Sequence, residues 1–138
     1  TSAHCVDISI EDNLYMGAWS IFATSYEVSA PVCTWTDEAS STYQIIASNA
    51  DAIGTFNLVN STASLLPFSI FWQDDFNASA WNQLQPDVAS TEIYLFDTAE
   101  QCSGGANTAM KIEVLKLDFD NVAAGIYSGT IVLTLLPQ

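Results

Sequence analysis

Short apolar runs with a two-residue period are the feature that most constrains how this 138-residue chain folds. In the run CVDISI (residues 5–10), the apolar side chains of Val6, Ile8 and Ile10 fall on one face of an extended strand. The run IEVLKL (residues 112–117) alternates in the same way. Because successive side chains of a strand point to opposite faces, this period indicates strands that are buried on one side only.

A similar residue pattern recurs along the whole chain. Runs rich in Val, Ile, Thr, Tyr and Phe are separated by clusters of Ser, Asn, Asp and Gly. About eight short strands at a spacing of roughly 10–15 residues indicate a β-sandwich or barrel. The predicted strands are Val6–Ile10, Ser20–Val28, Tyr43–Ser48, Thr55–Val59, Phe68–Trp72, Glu92–Phe96, Met110–Leu117 and Gly129–Leu136. The only helix candidate is a turn around Asp120–Ala124, and Asp74–Ser90 is predicted to be the longest loop.

The charge of the chain excludes several classes of partner. Two Lys and no Arg stand against sixteen Asp and Glu, a formal net charge of −14. This charge repels phosphate backbones and anionic lipids, so we expect neither nucleic acid nor membrane surfaces as partners. The longest apolar stretch, Ile131–Leu136, is too short for a membrane span. Because the chain begins at Thr1 without Met, we expect an exported protein whose signal peptide has been removed, folded as a single domain.

Candidate catalytic and metal-binding residues are few. His4 is the only histidine, and it lies in a terminal segment where a catalytic triad is not expected. Asp118, Asp120 and Asn121 supply oxygen ligands suited to calcium, but the Gly and distal Glu of an EF-hand loop are missing, so we favour an ordinary turn. The adjacent carboxylates of Asp74-Asp75 do not by themselves define a hydrolase cleft. We therefore expect no enzyme activity, no metal and no cofactor.

The predicted loop contains a candidate ligand contact. Trp81 lies near Phe76 and Asn77, and an aromatic platform flanked by amide groups is one way in which proteins bind sugars. The alternative, which we favour, is an aromatic side chain that folds back over the sandwich. Trp72 lies in an alternating run and is predicted to belong to the core.

Three cysteines, Cys5, Cys33 and Cys102, are widely spaced and form no Cys-x-x-Cys pair. Neither a zinc site nor thioredoxin-like chemistry is therefore indicated. In an exported chain this spacing favours one disulfide and one remaining thiol, which is either buried or paired with another chain.

Several motifs together resemble a known family. The C-terminal run AAGIYSGTIVLTLLP (residues 123–137) closely resembles the last strand of pilins exported by the chaperone–usher pathway, and most of all the archaic, spore coat protein U-like type. The Leu66-Pro67-Phe68 element and the Cys-x-Gly-Gly-x-Asn element at residues 102–107 add to this resemblance. So do Tyr15-Met16-Gly17-Ala18-Trp19 and Val32-Cys33-Thr34, so that the resemblance covers most of the chain.

The resemblance implies an all-β, incomplete immunoglobulin-like β-sandwich that is completed by a donor strand. In such subunits a periplasmic chaperone first fills a hydrophobic groove at one sheet edge. The N-terminal extension of a neighbouring pilus subunit later replaces the chaperone strand at the outer-membrane usher. The implied function is that of a fimbrial subunit on the bacterial surface, in a structural or tip role in adhesion and biofilm formation. The alternative is an adhesin-type module whose loops recognise a glycan, a host surface or an abiotic surface.

The resemblance also assigns residues to the groove that accepts a strand and to the strand that is donated. The groove edge is expected along the last strand, after which the chain is expected to supply no closing strand. Residues 1–12 are either a donor strand, with Val6, Ile8 and Ile10 as plugs, or the first strand of the domain, which we favour. The expected groove-edge residues are Thr130, Ile131, Val132, Leu133, Thr134, Leu135 and Leu136.

The disulfide is implied by the same layout. Cys33 ends one strand and Cys102 begins another, and in the implied sandwich these strands are antiparallel neighbours. We therefore favour a Cys33–Cys102 disulfide with Cys5 left over. A Cys5–Cys33 pair, as in the spore coat protein U-like pattern, is the alternative.

Overall fold

The computed structural model describes residues 6–9, 24–38, 41–50, 52–74, 80–98, 102–103 and 105–138. These residues form ten β-strands and one short helix. The elements are β1 (Val6–Ser9), β2 (Ser25–Thr36), β3 (Thr42–Asn49), β4 (Asn57–Val59), β5 (Leu65–Pro67), β6 (Ser69–Asp74), β7 (Asn82–Leu84), β8 (Tyr94–Leu95), β9 (Thr108–Leu115), α1 (Lys116–Asp120) and β10 (Ile131–Pro137). No helix within these ranges is long and apolar enough to cross a membrane.

The strands form two main antiparallel sheets and a small hairpin. The larger sheet has the order β1-β2-β9-β6-β7 and the smaller sheet the order β10-β3-β8, while β4 pairs with β5. With β1, β2, β9 and β6 as strands A, B, E and D, and with β3 and β10 as strands C and F, this is the strand order of an immunoglobulin sandwich. The predicted all-β, immunoglobulin-like fold is thereby confirmed.

The core is built from alternate residues of both sheets. On β3 the side chains of Tyr43, Ile45 and Ala47 are fully buried, and on β6 those of Ile70 and Trp72 are fully buried. The Trp72 indole donates a hydrogen bond of 3.2 Å to the Tyr43 hydroxyl, so these buried polar atoms are satisfied. Burial raises the pKa of Tyr43 to about 12, because the charged phenolate is poorly solvated there. The predicted core position of Trp72 is confirmed.

Tyr127 lies at the corner where the chain enters β10, and its hydroxyl holds this corner by hydrogen bonds. The Tyr127 hydroxyl donates to the carbonyl oxygen of Ala123 at 2.6 Å and accepts from the Asn60 amide at 3.4 Å. A tyrosine that bonds the backbone a few residues upstream at the E–F corner is a hallmark of immunoglobulin-like sandwiches. Ser128 then exchanges both backbone hydrogen bonds with Val59, at 2.9 and 3.0 Å. These contacts direct β10 to its place beside β3.

A disulfide joins Cys33 of β2 to Cys102, six residues before β9, with a Cα–Cα distance of 5.9 Å. The predicted pairing is therefore present, and Cys5 lies outside the described residues. Next to the disulfide, the buried Asn107 extends the β2–β9 ladder with its side chain. Its Oδ1 accepts from the Thr34 backbone N–H at 2.8 Å, and its Nδ2 donates to the Thr34 carbonyl at 3.1 Å and to the Thr34 hydroxyl at 2.8 Å.

Strand β2 is longer than the sequence indicates, because the prediction ended it at Val28 and the strand continues to Thr36. Pro31 lies within the added length, although proline has no N–H and is rare inside a sheet. Pro31 lies opposite Ala109 of β9, and the described pairing with β1 covers only Cys33–Thr36. The proline therefore lies beyond the described β1–β2 ladder, where a missing donor interrupts no pairing.

The predicted strand Met110–Leu117 was wrong at its end, because β9 stops at Leu115 and Lys116 begins α1. Met110, Ile112 and Val114 point into the core, so the next core-facing position is Lys116, whose charge is costly to bury. The chain instead turns into the helix, where the Lys116 ammonium pairs with the Asp120 carboxylate at 2.6 Å. The predicted turn around Asp120–Ala124 follows this helix.

Two short strands were not predicted. β5 pairs with β4, and β7 divides the predicted loop Asp74–Ser90. Three residues are too few to show a two-residue period, which is why both were missed. The predicted strand Thr55–Val59 begins only at Asn57. Four other predicted strands differ from the observed ones by one or two residues at each end. The observed strands, each followed by its predicted range, are Thr42–Asn49 (Tyr43–Ser48), Ser69–Asp74 (Phe68–Trp72), Tyr94–Leu95 (Glu92–Phe96) and Ile131–Pro137 (Gly129–Leu136).

Candidate functional site

Strand β10 forms an edge of the smaller sheet. All seven residues of β10 pair with β3 on one side, from Ile131 opposite Asn49 to Pro137 opposite Tyr43. On the other side no residue within the described ranges pairs with it. In an immunoglobulin sandwich this is the position of strand G, which pairs with strand F. We call the unpaired side of β10 the open edge.

The backbone of the open edge offers a regular row of hydrogen-bonding groups. Ala50 donates to the carbonyl of Thr130 at 3.0 Å, and the N–H of Gln138 donates to Thr42 at 2.9 Å. Even-numbered residues of this segment therefore direct their backbone groups toward β3. By alternation, the odd-numbered residues between them direct theirs outward, and Pro137 offers only a carbonyl. The outward N–H groups are those of Ile131, Leu133 and Leu135.

The side chains along the open edge cover the core incompletely. Ile131, Leu133 and Leu135 pack against the core but are only partly buried. Their neighbours on β3, Ala47 opposite Leu133 and Ile45 opposite Leu135, are fully buried. Among the residues that the structure describes, the core-facing side chains of β10 are therefore covered less completely than those of β3. We call this apolar strip on β10 the groove.

Strand β2 of the larger sheet shows a similar gradient in the burial of its side chains. On β2, Val32 is fully buried, whereas Tyr26 and Val28 pack against the core and are only partly buried. The Tyr26 ring rests on the Phe119 ring of α1, with centroids 4.6 Å apart. Among the described residues, the core is therefore less covered near the start of β2 and along β10 than at Val32 and on β3.

The predicted groove-edge residues lie on or directly beside this edge. Thr130 precedes β10, and the strand itself begins at Ile131 and includes Pro137. Val132 and Thr134 point to the outer face of the sheet and are exposed, with Val132 46% accessible. The residues that line the groove are thus the alternate ones, Ile131, Leu133 and Leu135.

The donor-strand candidates lie in β1, as far as the described residues include them. Val6 is opposite Thr36 and Ile8 is opposite Thr34 in an antiparallel pair with β2 of the same chain. Ile10 lies outside the described residues. The use of residues 1–12 as a donor strand in an assembly stays a prediction.

The ligand-contact candidate Trp81 belongs to an aromatic cluster on the outer face of the larger sheet. The Lys111 ammonium lies 5.0 Å from the centroid of the Trp81 ring and 4.7 Å from that of Phe71. Phe71 is directly opposite Lys111 on β9 and Gln83 on β7. Phe76 and Asn77 lie outside the described residues. The sequence did not single out Phe71 and Lys111, although alternation along β6 and β9 places both on the outer face.

The acidic candidates have structural contacts. The Asp120 carboxylate pairs with Lys116, and the Asn121 amide donates to the Leu117 carbonyl at 2.7 Å. The buried Asp74 carboxylate accepts a hydrogen bond of 3.2 Å from the Leu95 backbone. Within the described ranges, no three or more His, Cys, Asp or Glu side chains cluster in a way that suits a metal ion. His4 lies outside these ranges.

No protein-family profile and no curated protein matches the chain. Three solved chains match it in structure. One of them belongs to a structure described as a chaperone–tip adhesin complex that is vital for activation of CFA/I fimbriae biogenesis. The similarity covers 96% of this chain and 41% of that chain, with a TM-score of 0.69 and 15% sequence identity. At this identity the likeness shows a shared fold, and this chain spans less than half of the neighbour's length.

Proposed function

We propose that the chain is a pilus subunit of the chaperone–usher type, assembled at the bacterial surface by donor-strand complementation. The observation that carries this proposal is the open edge of β10, where outward backbone groups and a half-covered apolar core occur together. The fold shared with a chain from a fimbrial chaperone–adhesin complex supports the same reading. The archaic, spore coat protein U-like subtype is part of the proposal, as is a structural or tip position.

The open edge binds a β-strand by strand addition. An incoming extended segment hydrogen-bonds with the N–H and carbonyl groups of Ile131, Leu133 and Leu135. Its alternate side chains enter the groove and complete the core, so that the backbone supplies affinity and the side chains supply specificity. Full burial of one Val, Leu or Ile side chain contributes about 1.5–3 kcal/mol. A few such side chains account for tight binding.

The proposed partners follow from the hazard of an open hydrophobic edge. An unpaired strand edge is a template for aggregation, so a periplasmic chaperone covers it during transit. At the outer-membrane usher, a neighbouring subunit then supplies the strand. The net charge of −14 opposes unspecific association between copies, which favours pairing through the dedicated edge.

A peptide-binding experiment tests this function. Two twelve-residue peptides are offered to the purified chain, one with the sequence of residues 1–12 and one with alternating Val or Ile and Thr or Ser. At a hundredfold excess over its Kd, a binding peptide stabilises the folded chain by about 2.7 kcal/mol. For a domain of this size we expect the melting temperature to rise by about 10 °C. If neither peptide moves it by more than about 1 °C, the proposal is wrong.

Two controls separate strand addition from unspecific adsorption. A peptide N-methylated at alternate residues keeps its side chains but cannot form the backbone ladder, so we expect no thermal shift. In the chain, Leu133→Glu places a charge in the groove and should abolish binding. Thr134→Glu places the same charge one residue away on the outer face and should leave binding unchanged.

The aromatic cluster on the larger sheet supports a second candidate function, that of an adhesin-type module. Phe71 and Trp81 lie half-buried on the outer face, where they are accessible to a ligand. Aromatic rings with neighbouring amides such as Gln83 suit the faces and hydroxyl groups of sugars. Glycan-array binding that disappears in Trp81→Ala and persists in Leu117→Ala supports this function. An array without signal contradicts it.

A further inference from the structure

Strand β10 lacks the features that usually keep an edge strand from pairing with another chain. Natural sheet edges are protected by being short or by carrying charged side chains. Among the described edge strands of the two main sheets, β1 has four residues, β7 three and β8 two, whereas β10 has seven. Residues 121–138 include no charged side chain, although the whole chain carries a net charge of −14. The open edge is therefore long and uncharged.

The outward backbone groups of β10 are complementary to those of a second β10. In an antiparallel ladder, a residue whose N–H and carbonyl groups point toward the partner strand lies opposite a residue of the same kind. The outward residues Ile131, Leu133 and Leu135 are evenly spaced about Leu133. If Leu133 of one copy lies opposite Leu133 of a second copy, each Ile131 lies opposite a Leu135. Every outward N–H of these residues then meets a carbonyl group, and every carbonyl group meets an N–H.

Other registers satisfy this row of groups less completely. A shift by one residue places outward groups opposite groups that already pair with β3. The shift that brings Pro137 opposite Ile131 leaves the Ile131 carbonyl without a donor, because proline has no N–H. The shift in the other direction brings Leu135 opposite Gly129, which precedes the strand. Pairing of β10 with itself is therefore best satisfied with a two-fold axis at Leu133.

The side chains match in the same register. Directly opposite residues of an antiparallel pair project to the same face of the sheet. The core-facing side chains of Ile131, Leu133 and Leu135, which are only partly buried in one copy, then contact those of the second copy. On the outer face, the exposed Val132 lies opposite Thr134, and both are β-branched residues that favour strands. Pairing therefore covers apolar surface as well as backbone groups.

Charge favours this surface over others for contact between copies. Each copy carries a net charge of −14, so that the charged parts of two copies repel each other. At physiological ionic strength, charges farther apart than about 8 Å are largely screened, so two uncharged edges can meet at little electrostatic cost. A two-fold contact uses the same surface on both copies, so association through it stops at a dimer.

We propose that two copies of this chain pair through β10 when no other strand occupies the open edge. The pair has a two-fold axis at Leu133 and joins the smaller sheets of both copies into one continuous sheet. It rests on the open edge that also carries the proposed function, but it needs no donor strand. A donor strand or a chaperone therefore competes with the second copy, which protects the edge until one of them arrives.

Sedimentation velocity over a range of protein concentrations tests the pairing. We expect wild type to populate a dimer, and an excess of a binding twelve-residue peptide to convert this dimer into a monomer–peptide complex. Leu133→Glu brings two like charges together within an apolar strip and should weaken dimerisation at least about tenfold. Leu95→Glu is the matched control and should dimerise like wild type, because Leu95 is 40% exposed on β8 at the opposite edge of the same sheet. Circular dichroism verifies that the variants are folded.

Disulfide trapping tests the register with variants at exposed positions. Val132→Cys and Thr134→Cys are prepared separately, each with Cys5→Ser. In the proposed register, Val132 of one copy and Thr134 of the other form a non-hydrogen-bonded pair with Cα atoms about 4.5 Å apart, within the range of a disulfide. Identical positions of the two copies lie diagonally, about 7–8 Å apart. Oxidation of the mixture should therefore give a covalent dimer on a non-reducing gel, whereas neither variant alone should.

The outcomes separate this inference from the proposed function. A wild-type chain that binds peptide but stays monomeric overturns the dimer and leaves the proposed function standing. A dimer that Leu133→Glu leaves intact, or that persists with bound peptide, uses another surface and overturns the inference, as does efficient trapping of either cysteine variant alone. A dimer that Leu133→Glu dissociates, in a chain that binds no peptide, supports the inference and refutes the proposed function. If neither a dimer nor peptide binding is observed, both are wrong.

Discussion

Replacing Asn107 with alanine is expected to destabilise the domain by about 3 kcal/mol. The Asn107 side chain is buried and takes the place of the next residue pair in the β2–β9 ladder, which otherwise ends at Val32 and Thr108. In Asn107→Ala the Thr34 N–H loses its acceptor inside the protein. A buried donor without a partner costs about 1–3 kcal/mol, and each further lost hydrogen bond about 1 kcal/mol.

The contacts that remain limit the size of this effect. The Thr34 carbonyl still accepts from the Asp97 N–H at 2.9 Å, and the Thr34 hydroxyl still bonds to the Tyr43 hydroxyl at 3.2 Å. The net loss is therefore the orphaned Thr34 N–H together with the two hydrogen bonds that Asn107 Nδ2 donates to groups that keep another partner. With a urea m-value of about 1.5 kcal/mol/M, the unfolding midpoint falls by about 2 M.

Urea denaturation followed by tryptophan fluorescence measures this change, with the disulfide verified by mass spectrometry. Asn121→Ala is the matched control, because the Asn121 amide also donates to a backbone carbonyl but is exposed. Water replaces that bond, so we expect a change below about 0.5 kcal/mol. An Asn107→Ala protein as stable as the Asn121→Ala control would refute the reasoning, since the buried N–H of Thr34 would then carry no cost.

Three further changes test other parts of the fold. Replacing Cys33 and Cys102 with serine opens a loop of 69 residues and should cost about 4 kcal/mol in urea denaturation; an unchanged midpoint would contradict this. Glu113 lies opposite Glu27, and a hydrogen bond between the two carboxyl groups raises the pKa of Glu113. Its stabilising contribution is complete below the ordinary pKa and is lost as pH rises through the raised value. Glu113→Gln should therefore gain a few tenths of a kcal/mol over wild type at pH 7 and none in acid, whereas a gain independent of pH would disprove the coupling. Tyr127→Phe should lower stability by about 1 kcal/mol through loss of the corner hydrogen bond, measurable as a melting-temperature shift that Tyr127→Leu exceeds.

Alternation along the chain predicts the fold class because side-chain direction in a strand depends only on local geometry. The two-residue period of Ile112 and Val114 indicates a half-buried strand without knowledge of its neighbours. The resemblance carried by the C-terminal motif and the other quoted elements implied an immunoglobulin-like sandwich and, with it, the Cys33–Cys102 disulfide. The two-residue period depends on local geometry, and the family resemblance depends on short motifs, so both can be read from the sequence.

The ends of the strands depend on contacts that the sequence does not display. Pro31 lies inside β2, but at a position where no described strand needs its N–H. Lys116 was expected to continue β9, but the alternation would place its charge in the core. In both cases the outcome is decided by what lies beside the residue in the sheet, and that depends on residues distant in sequence.

For the candidate site too, some features follow from the sequence alone and others only from the tertiary structure. The apolar alternation of Ile131, Leu133 and Leu135 by itself determined that the last strand has one core-facing side, because hydrophobic period follows from local backbone geometry. Only the tertiary structure decided that this strand is an edge among the described residues, and that its odd-numbered backbone groups point outward. Pairing and exposure are relations between distant segments, and these arise only when the two sheets pack together.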